Sequence, residues 1–264
     1  SSRYTNVSVY SQGNKKQGAA RNLGLNYSCG EFIWFIDSDD WIDSNFIPII
    51  VDIIVKYKLD IVRIGSSDVK NNVIQPRSCS HLEDIIYEGR STFFENKFSM
   101  CVPFYLIRRR FLLSNNLFFK EGIFYEDNEF VPRLIERCSR FLYLPYNIYY
   151  VFHREVSTTR NINFNNNIIY LFDVVKFQLE YIDSVTLSSI RKIYSKQIAK
   201  NSLSLLIGLL SDIELFSIYY KKMKNLNCWN IAILKSESFK HIFIFSLIRS
   251  PYILRIILKV YYSK

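Results

Sequence analysis

No apolar run in this chain approaches the length needed to cross a bilayer, which takes about 20 consecutive residues. The best stretch, around Ile242–Leu247, is interrupted by Arg249-Ser250-Pro251. A spanning helix is therefore not expected. Cysteine is sparse and unpatterned: Cys29, Cys79, Cys101, Cys138 and Cys228 are odd in number and scattered, with no C-x-x-C spacing. That argues against a disulfide framework or a zinc site and for reduced thiols in the cytoplasm. The polar N-terminus has no basic-then-apolar leader pattern. Internal repeats and Pro/Gly-rich linkers are also missing. What the chain does have is material for a core. Its 264 residues are 49% hydrophobic and 16% aromatic, enough for one large domain or a domain plus an appendage and unlike a disordered chain.

Acidic residues are scarce in one region only. Residues 191–264 hold 13 Lys/Arg and 3 Asp/Glu, whereas residues 1–190 hold 21 of each, so the whole excess of +10 lies in the last 74 residues. Such asymmetry points to a membrane or nucleic-acid contact. The basic residues are interleaved with apolar runs such as Ile242-Phe243-Ile244-Phe245 and Ile253–Val260. That interleaving suits an anionic lipid surface. A nucleic-acid face calls for exposed Arg and Lys with fewer aliphatics, so nucleic acid is not expected as a partner. The alternative is that these faces pack on the rest of the protein.

The densest chemistry lies in residues 32–43, Phe-Ile-Trp-Phe-Ile-Asp-Ser-Asp-Asp-Trp-Ile-Asp. Five apolar residues suit a buried strand of an α/β sheet. Carboxylates at the carboxyl end of such a strand sit where open α/β sheets bind ligands. Asp37 and Asp39, spaced Asp-x-Asp around Ser38, are hard oxygen ligands for Mg²⁺ or Mn²⁺, ions that bind through one or two carboxylates plus substrate phosphates. The alternative is that Asp39 or Asp40 caps the next helix.

Upstream stands Asn14-Lys15-Lys16-Gln17-Gly18-Ala19-Ala20-Arg21-Asn22-Leu23-Gly24-Leu25, and Gly30-Glu31 leads into the strand. Gly18 and Ala19 permit close backbone approach, and Arg21 brings a fork of donors suited to phosphate oxygens. In this order the residues resemble the family 2 glycosyltransferases, whose A-type fold carries N-x-G-x-x-x-A-R-N-x-G and then a strand ending in D-S-D-D. Phe118–Phe130, with Glu121-Gly122 and Glu126-Asp127, is similar to that family's acceptor-side motif. Tyr149–Thr158, with His153-Arg154, resembles its closing stretch. The similarity spans roughly residues 6–160. Members normally begin with two further strands that hold the nucleotide base and ribose. Neither is found here, so the resemblance implies a truncated member or a fragment.

The resemblance implies an α/β, GT-A-like (Rossmann-like) mixed sheet over residues 1–160, followed by a helical, basic extension over 161–264. It implies an inverting transferase that moves a sugar from a nucleotide-sugar, a UDP-sugar first, to a glycan or lipid-linked acceptor in bacterial surface-polysaccharide synthesis. The setting would be the inner face of the membrane, held peripherally on anionic lipid. Asp127 would be the general base, with Glu126 and Trp41 on the acceptor. Asn14, Gly18, Arg21, Asn22, Asp37, Ser38 and Arg154 would hold the donor, and Asp39 and His153 would bind Mn²⁺ or Mg²⁺. Asp127 could instead merely cap a helix beginning at Asn128. The rival from another class is a non-catalytic remnant that binds a membrane or a partner.

Coarse patterning predicts a short strand at residues 6–10, helices over 19–27, 45–57, 91–97 and 128–137, and a strand at 59–64. It also predicts a polar loop over 66–80, closing strands at 141–144 and 148–152, and amphipathic helices from about residue 161.

Overall fold

The computed structural model describes residues 5–77, 86–88, 99–153, 167–185, 188–228 and 251–262. Arg154, the helix expected at 91–97 and the apolar run at 242–245 lie outside the described residues. The chain divides into two compact units, Ser1–Ser157 and Thr158–Lys264.

The first unit opens with α1 (Lys16–Tyr27), β1 (Phe32–Trp34) and β2 (Trp41–Ile42). These are followed by α2 (Ile47–Lys56), β3 (Ile61–Lys70), β4 (Val73–Pro76) and β5 (Ile86–Glu88). β6 (Tyr105–Arg108), α3 (Arg109–Ser114), α4 (Glu126–Arg137) and β7 (Arg140–Phe152) complete it. The sheet runs β1-β6-β3-β7-β2, with β4 on β3 and β5 on β7. It is mixed: β3 and β7 pair in parallel while the other ladders are antiparallel. Ile50 and Ile54, one turn apart on α2, share a core with Leu59, which precedes β3, and with Val62, Ile64, Leu142, Leu144 and Tyr149 of the sheet. Pro48 sits in the first turn of α2, where no backbone donor is lost.

Several expectations are corrected. Residues 7–15 form no strand, and Val7, Val9 and Tyr10 are exposed, because an alternating pattern needs a partner edge to bury one face. The apolar run at 32–36 does not make the fully buried strand expected of it, since Phe32 and Trp34 are only partly buried. β1 covers three residues at the end of the sheet order and pairs with β6, and Ile36 is exposed. The loop expected from residue 66 is instead a hairpin. β3 continues to Lys70, and Asn71 and Asn72 turn with φ 51° and 61° into β4, the left-handed pair that tight hairpins favour. The two closing strands are one, β7, whose register on β3 shifts between Leu144 and Asn147 across Pro145, a residue without a ladder donor.

The second unit is helical in its described residues: α5 (Tyr170–Ile182), α6 (Ser188–Gly208), α7 (Ile213–Asn225) and α8 (Pro251–Tyr262). Leu171, Val174, Val175 and Ile182 bury one face of α5, and Tyr194, Ile198, Leu205 and Leu206 one face of α6. Between these helices the buried Gln178 accepts a hydrogen bond from Asn201 at 3.1 Å. Asp212 caps α7 by accepting from the backbone of Glu214 and Leu215. α8 packs on α7, and its Leu254 and Leu258 are fully buried.

Candidate active site

The carboxyl end of β1 and the start of α4 meet at one guanidinium. Arg21, on α1, donates to Glu126 at 2.6 Å, to Asp127 at 2.7 Å and to Asp37 at 3.1 Å. Its side chain is 10% exposed. Burial alone would lower the Arg21 pKa, but Asp127, Asp37 and Glu126 together raise it. The phosphate role expected of Arg21 would require these donors to be released, because its fork is turned on three carboxylates.

α4 begins at Glu126, not Asn128, and Tyr125 enters it in the left-handed region at φ 60° with no side-chain cap. Asp127 is therefore not the helix cap. It lies in the first turn, where the helix dipole favours an anion, and its Oδ2 accepts from the Val102 backbone at 3.1 Å. Burial pushes Asp127 up to about 7 against the Arg21 charge, and Glu126 and Asp37 add to the rise. Both oxygens are thus held at the edge of a buried cluster carrying more negative than positive charge.

The loop Asp37–Asp40 points its side chains in different directions. Asp37 turns to Arg21 while Ser38 and Asp39 are exposed. Asp40 folds back onto β7, accepting from the Tyr149 hydroxyl at 2.8 Å and the Phe152 backbone at 2.9 Å. Burial pushes the Asp40 pKa up, and those two bonds oppose the rise. Asp43, not Asp39 or Asp40, caps the next helical turn by accepting from Asn45. Beside the loop is an open groove of about 610 Å³, lined by Arg21, Trp34, Ile36, Asp37, Ser38 and Asp39 among others.

His153 gives its Nε2 to Asp68 at 2.6 Å, and Arg77 clamps the same carboxylate through two hydrogen bonds. The Arg77 bonds, opposed by burial and assisted by His153, hold Asp68 down to about 2. Among the described residues no group of three or more His, Cys, Asp or Glu is arranged to hold a metal. A divalent ion here would draw its remaining ligands from substrate phosphates and water, as Mg²⁺ commonly does. The exposed Asp39 carboxylate fits that donor set. A carboxylate on the second ring nitrogen is usual for a metal-ligating histidine, and Asp68 takes that place on Nε2 of His153.

Other motif residues shape the site rather than face it. Asn22 is buried, donating to the Phe119 carbonyl at 3.0 Å and to Glu121 at 3.1 Å and accepting from the Phe119 amide at 2.9 Å. A Cβ on Gly18 would stand 2.6 Å from the Lys120 carbonyl oxygen. Gly18 and Asn22 thus press α1 against the acceptor-side segment. Asn14 accepts from the Lys16 backbone at 3.2 Å, where the chain turns into α1 with φ 68°. Trp41 stacks on Tyr150 across the β2–β7 ladder with ring centroids 5.5 Å apart, and 42% of it is exposed. Sequence reasoning passed over Tyr149, Asp68 and Arg77. Tyr149 meets Asp40 and Asp68 meets His153 through pairing of distant segments, and Arg77 reaches Asp68 across a hairpin that was read as loop.

Residues 1–117 match the family model described as Glycosyl transferase family 2. Glycosyltransferase GlyA of Streptococcus pneumoniae serotype 4 is 44% identical over 50 residues, 19% of this chain and 7% of that protein. The chain therefore spans a small fraction of that curated relative. S. aureus TarS in complex with UDP-GlcNAc superposes with a TM-score of 0.60 at 18% identity, covering 98% of this chain and 75% of that one. TarS in complex with UDP gives a TM-score of 0.50 at 16% identity over 87% and 70%. Over residues 1–117 the chain is similar to the family 2 glycosyltransferases, and its fold is GT-A-like, as in TarS. The matched span holds Arg21 and the Asp37–Asp40 loop but ends before Glu126 and Asp127, whose place rests on the geometry above.

Proposed function

We propose that the protein is an inverting glycosyltransferase that moves a sugar from a nucleotide-sugar, a UDP-sugar first, to a hydroxyl of a glycan or lipid-linked acceptor. The observation that carries this reading is Asp127, half-buried in the first turn of α4 and tied through Arg21 to the donor-side Asp37. In the reaction, an Asp127 oxygen takes the proton of the acceptor hydroxyl while the hydroxyl oxygen bonds to the anomeric carbon. The bond from that carbon to the diphosphate breaks on the opposite face, and the nucleoside diphosphate leaves with the electron pair. Asp39, with His153 through Nδ1, would hold Mn²⁺ or Mg²⁺. The ion would supply Lewis-acid neutralisation of the leaving diphosphate. Ser38 lines the groove, and Asn14 and Arg154 are assigned to the donor by family resemblance alone. Trp41 offers an exposed ring face for stacking on a sugar, and Glu126, assigned to the acceptor by family resemblance, shares its guanidinium with Asp127.

The donor assignment is supported by the family match and by a fold shared with a protein that binds UDP-GlcNAc. Polysaccharide synthesis and a peripheral membrane setting rest on the basic tail, since no helix among the described residues is long and apolar enough to cross a membrane. The test is calorimetry with a panel of nucleotide-sugars and Mn²⁺, on the native chain and on Asp39→Ala. One UDP-sugar should bind in a metal-dependent way, and the variant should lose that dependence while keeping its fold. No binding of any nucleotide-sugar would favour the non-catalytic alternative.

A further inference from the structure

We infer that Arg21 is a positioning residue, whose single guanidinium fixes the donor-loop carboxylate Asp37 and the acceptor-side pair Glu126 and Asp127 in one constellation. This rests on the transferase reading and assigns Arg21 a task different from holding the donor diphosphate. The three carboxylates come from two places far apart in sequence, the loop after β1 and the first turn of α4, and Arg21 reaches them from a third, α1. The fork is planar and carries five donors, so it can satisfy several carboxylates at fixed angles where an ammonium cannot. Gly18 and Asn22, on the same helix, seat α1 against the segment that leads into α4. The guanidinium is therefore set by the backbone it has to align.

One cation facing three anions has a consequence for the base. The groups around Asp127 are Arg21 from α1, Asp37 from the donor loop, Glu126 from its own helix, and Cys101 and the Val102 amide from the segment before β6. Of the charged neighbours, Arg21 favours the ionised carboxylate, while Glu126 and Asp37 oppose it. Without Arg21, Asp127 would hold its proton to higher pH, and the anions would spread apart. Neutralising Asp37 should act in the opposite direction.

The test compares the full chain with Arg21→Lys, Arg21→Ala and Asp37→Asn. The first readout needs no turnover: the ¹³C carboxyl resonance of Asp127 is followed through a pH titration without substrate. Its midpoint should rise most in Arg21→Ala, which removes the charge, rise less in Arg21→Lys, which keeps the charge but loses the fork, and fall in Asp37→Asn; an unmoved midpoint in all folded variants would overturn the inference. The second readout is transfer. Arg21→Lys should lose about 10²-fold in kcat, the scale of a small misplacement of a reacting group, with donor KM within a few-fold. Its acid limb should move to higher pH, and free guanidinium should restore part of the rate in Arg21→Ala. A rise in donor KM at unchanged kcat would return Arg21 to the diphosphate. If the native chain transfers no sugar, the transferase reading fails, and the titration still decides whether Arg21 organises the cluster. Should both Arg21 variants fail to fold, Asp37→Asn alone keeps the sign of the shift testable.

Discussion

Asp127 has to be ionised to accept a proton, yet it sits where burial and two neighbouring carboxylates resist ionisation. With its midpoint lifted to about 7, a base at this position would titrate within the physiological range, where proton-transfer catalysis is most effective. The free-enzyme pH profile of kcat/KM should fall on the acid side through about pH 7, because the protonated carboxyl cannot take the acceptor proton. Asp127→Asn should lower transfer by about 10²–10⁴-fold and leave donor affinity near native, since the amide keeps the size and the contact with Val102. Steady-state transfer assays and donor calorimetry on the one variant check both halves. Near-normal transfer would move the base to Glu126. The identity of these carboxylates was readable from sequence, because Asp37, Asp39, Glu126 and Asp127 stand in short ordered motifs. The direction each one faces was not, because it depends on where Arg21 arrives from a helix more than a hundred residues upstream of α4.

Among the elements, α1 does more than its composition suggests. It carries no acidic residue in its first turn and no basic residue in its last, so neither end is helped by the macrodipole. Its position is set by a bare Gly18 against the Lys120 carbonyl and by Asn22 bridging the Phe119 backbone. Gly18→Ala should cost about 1–3 kcal/mol by overpacking against backbone that cannot swing aside, lowering Tm by about 2–4 °C for each kcal/mol. Asn22→Ala should cost about 1–3 kcal/mol for each buried group left without a partner. Thermal unfolding checks both, and native Tm values would show that α1 is held by other contacts. The helices α1, α2 and α4 were legible because period and motif coincide in them. The β3–β4 hairpin was missed: Asn71-Asn72 suits a tight turn, but the polar residues around it read as loop. The end position of β1 had no local signal, since a strand's place in a sheet is decided by distant partners.

For the molecule as a whole, the uneven charge is the largest feature not used by the site. The excess of +10 lies in residues 191–264. In that region α8 buries Leu254 and Leu258 and exposes Tyr252, Ile253 and Ile256 beside Arg255 and Lys259. Helices that lie in the plane of a lipid interface carry a division of this kind, which makes surface binding by α8 a testable expectation. Each basic residue near an anionic surface contributes about 1 kcal/mol. Arg255→Gln with Lys259→Gln should therefore weaken binding to phosphatidylserine-containing vesicles by roughly 30-fold, the equivalent of about 2 kcal/mol. Native binding should fade as salt rises and screening shortens the reach of charge. Flotation at low and high salt measures both. Equal flotation of the native and doubly neutralised chains would leave α8 as a helix packed within its own unit.

The loop Asp37–Asp40 has one more implication, for how such sites are searched for and redesigned. Its three carboxylates are chemically the same, yet one reaches across to α1, one meets solvent and one is sewn into β7. They are not interchangeable letters. A shuffled loop reading Asp-Asp-Ser-Asp would keep the composition, the charge and the Asp-x-Asp pattern, which would then begin one residue later. It would nonetheless put a hydroxyl where the outward-facing carboxylate stands. Two sequences indistinguishable to a pattern scan would then differ as catalysts, with the distinction encoded in the grammar of four consecutive positions.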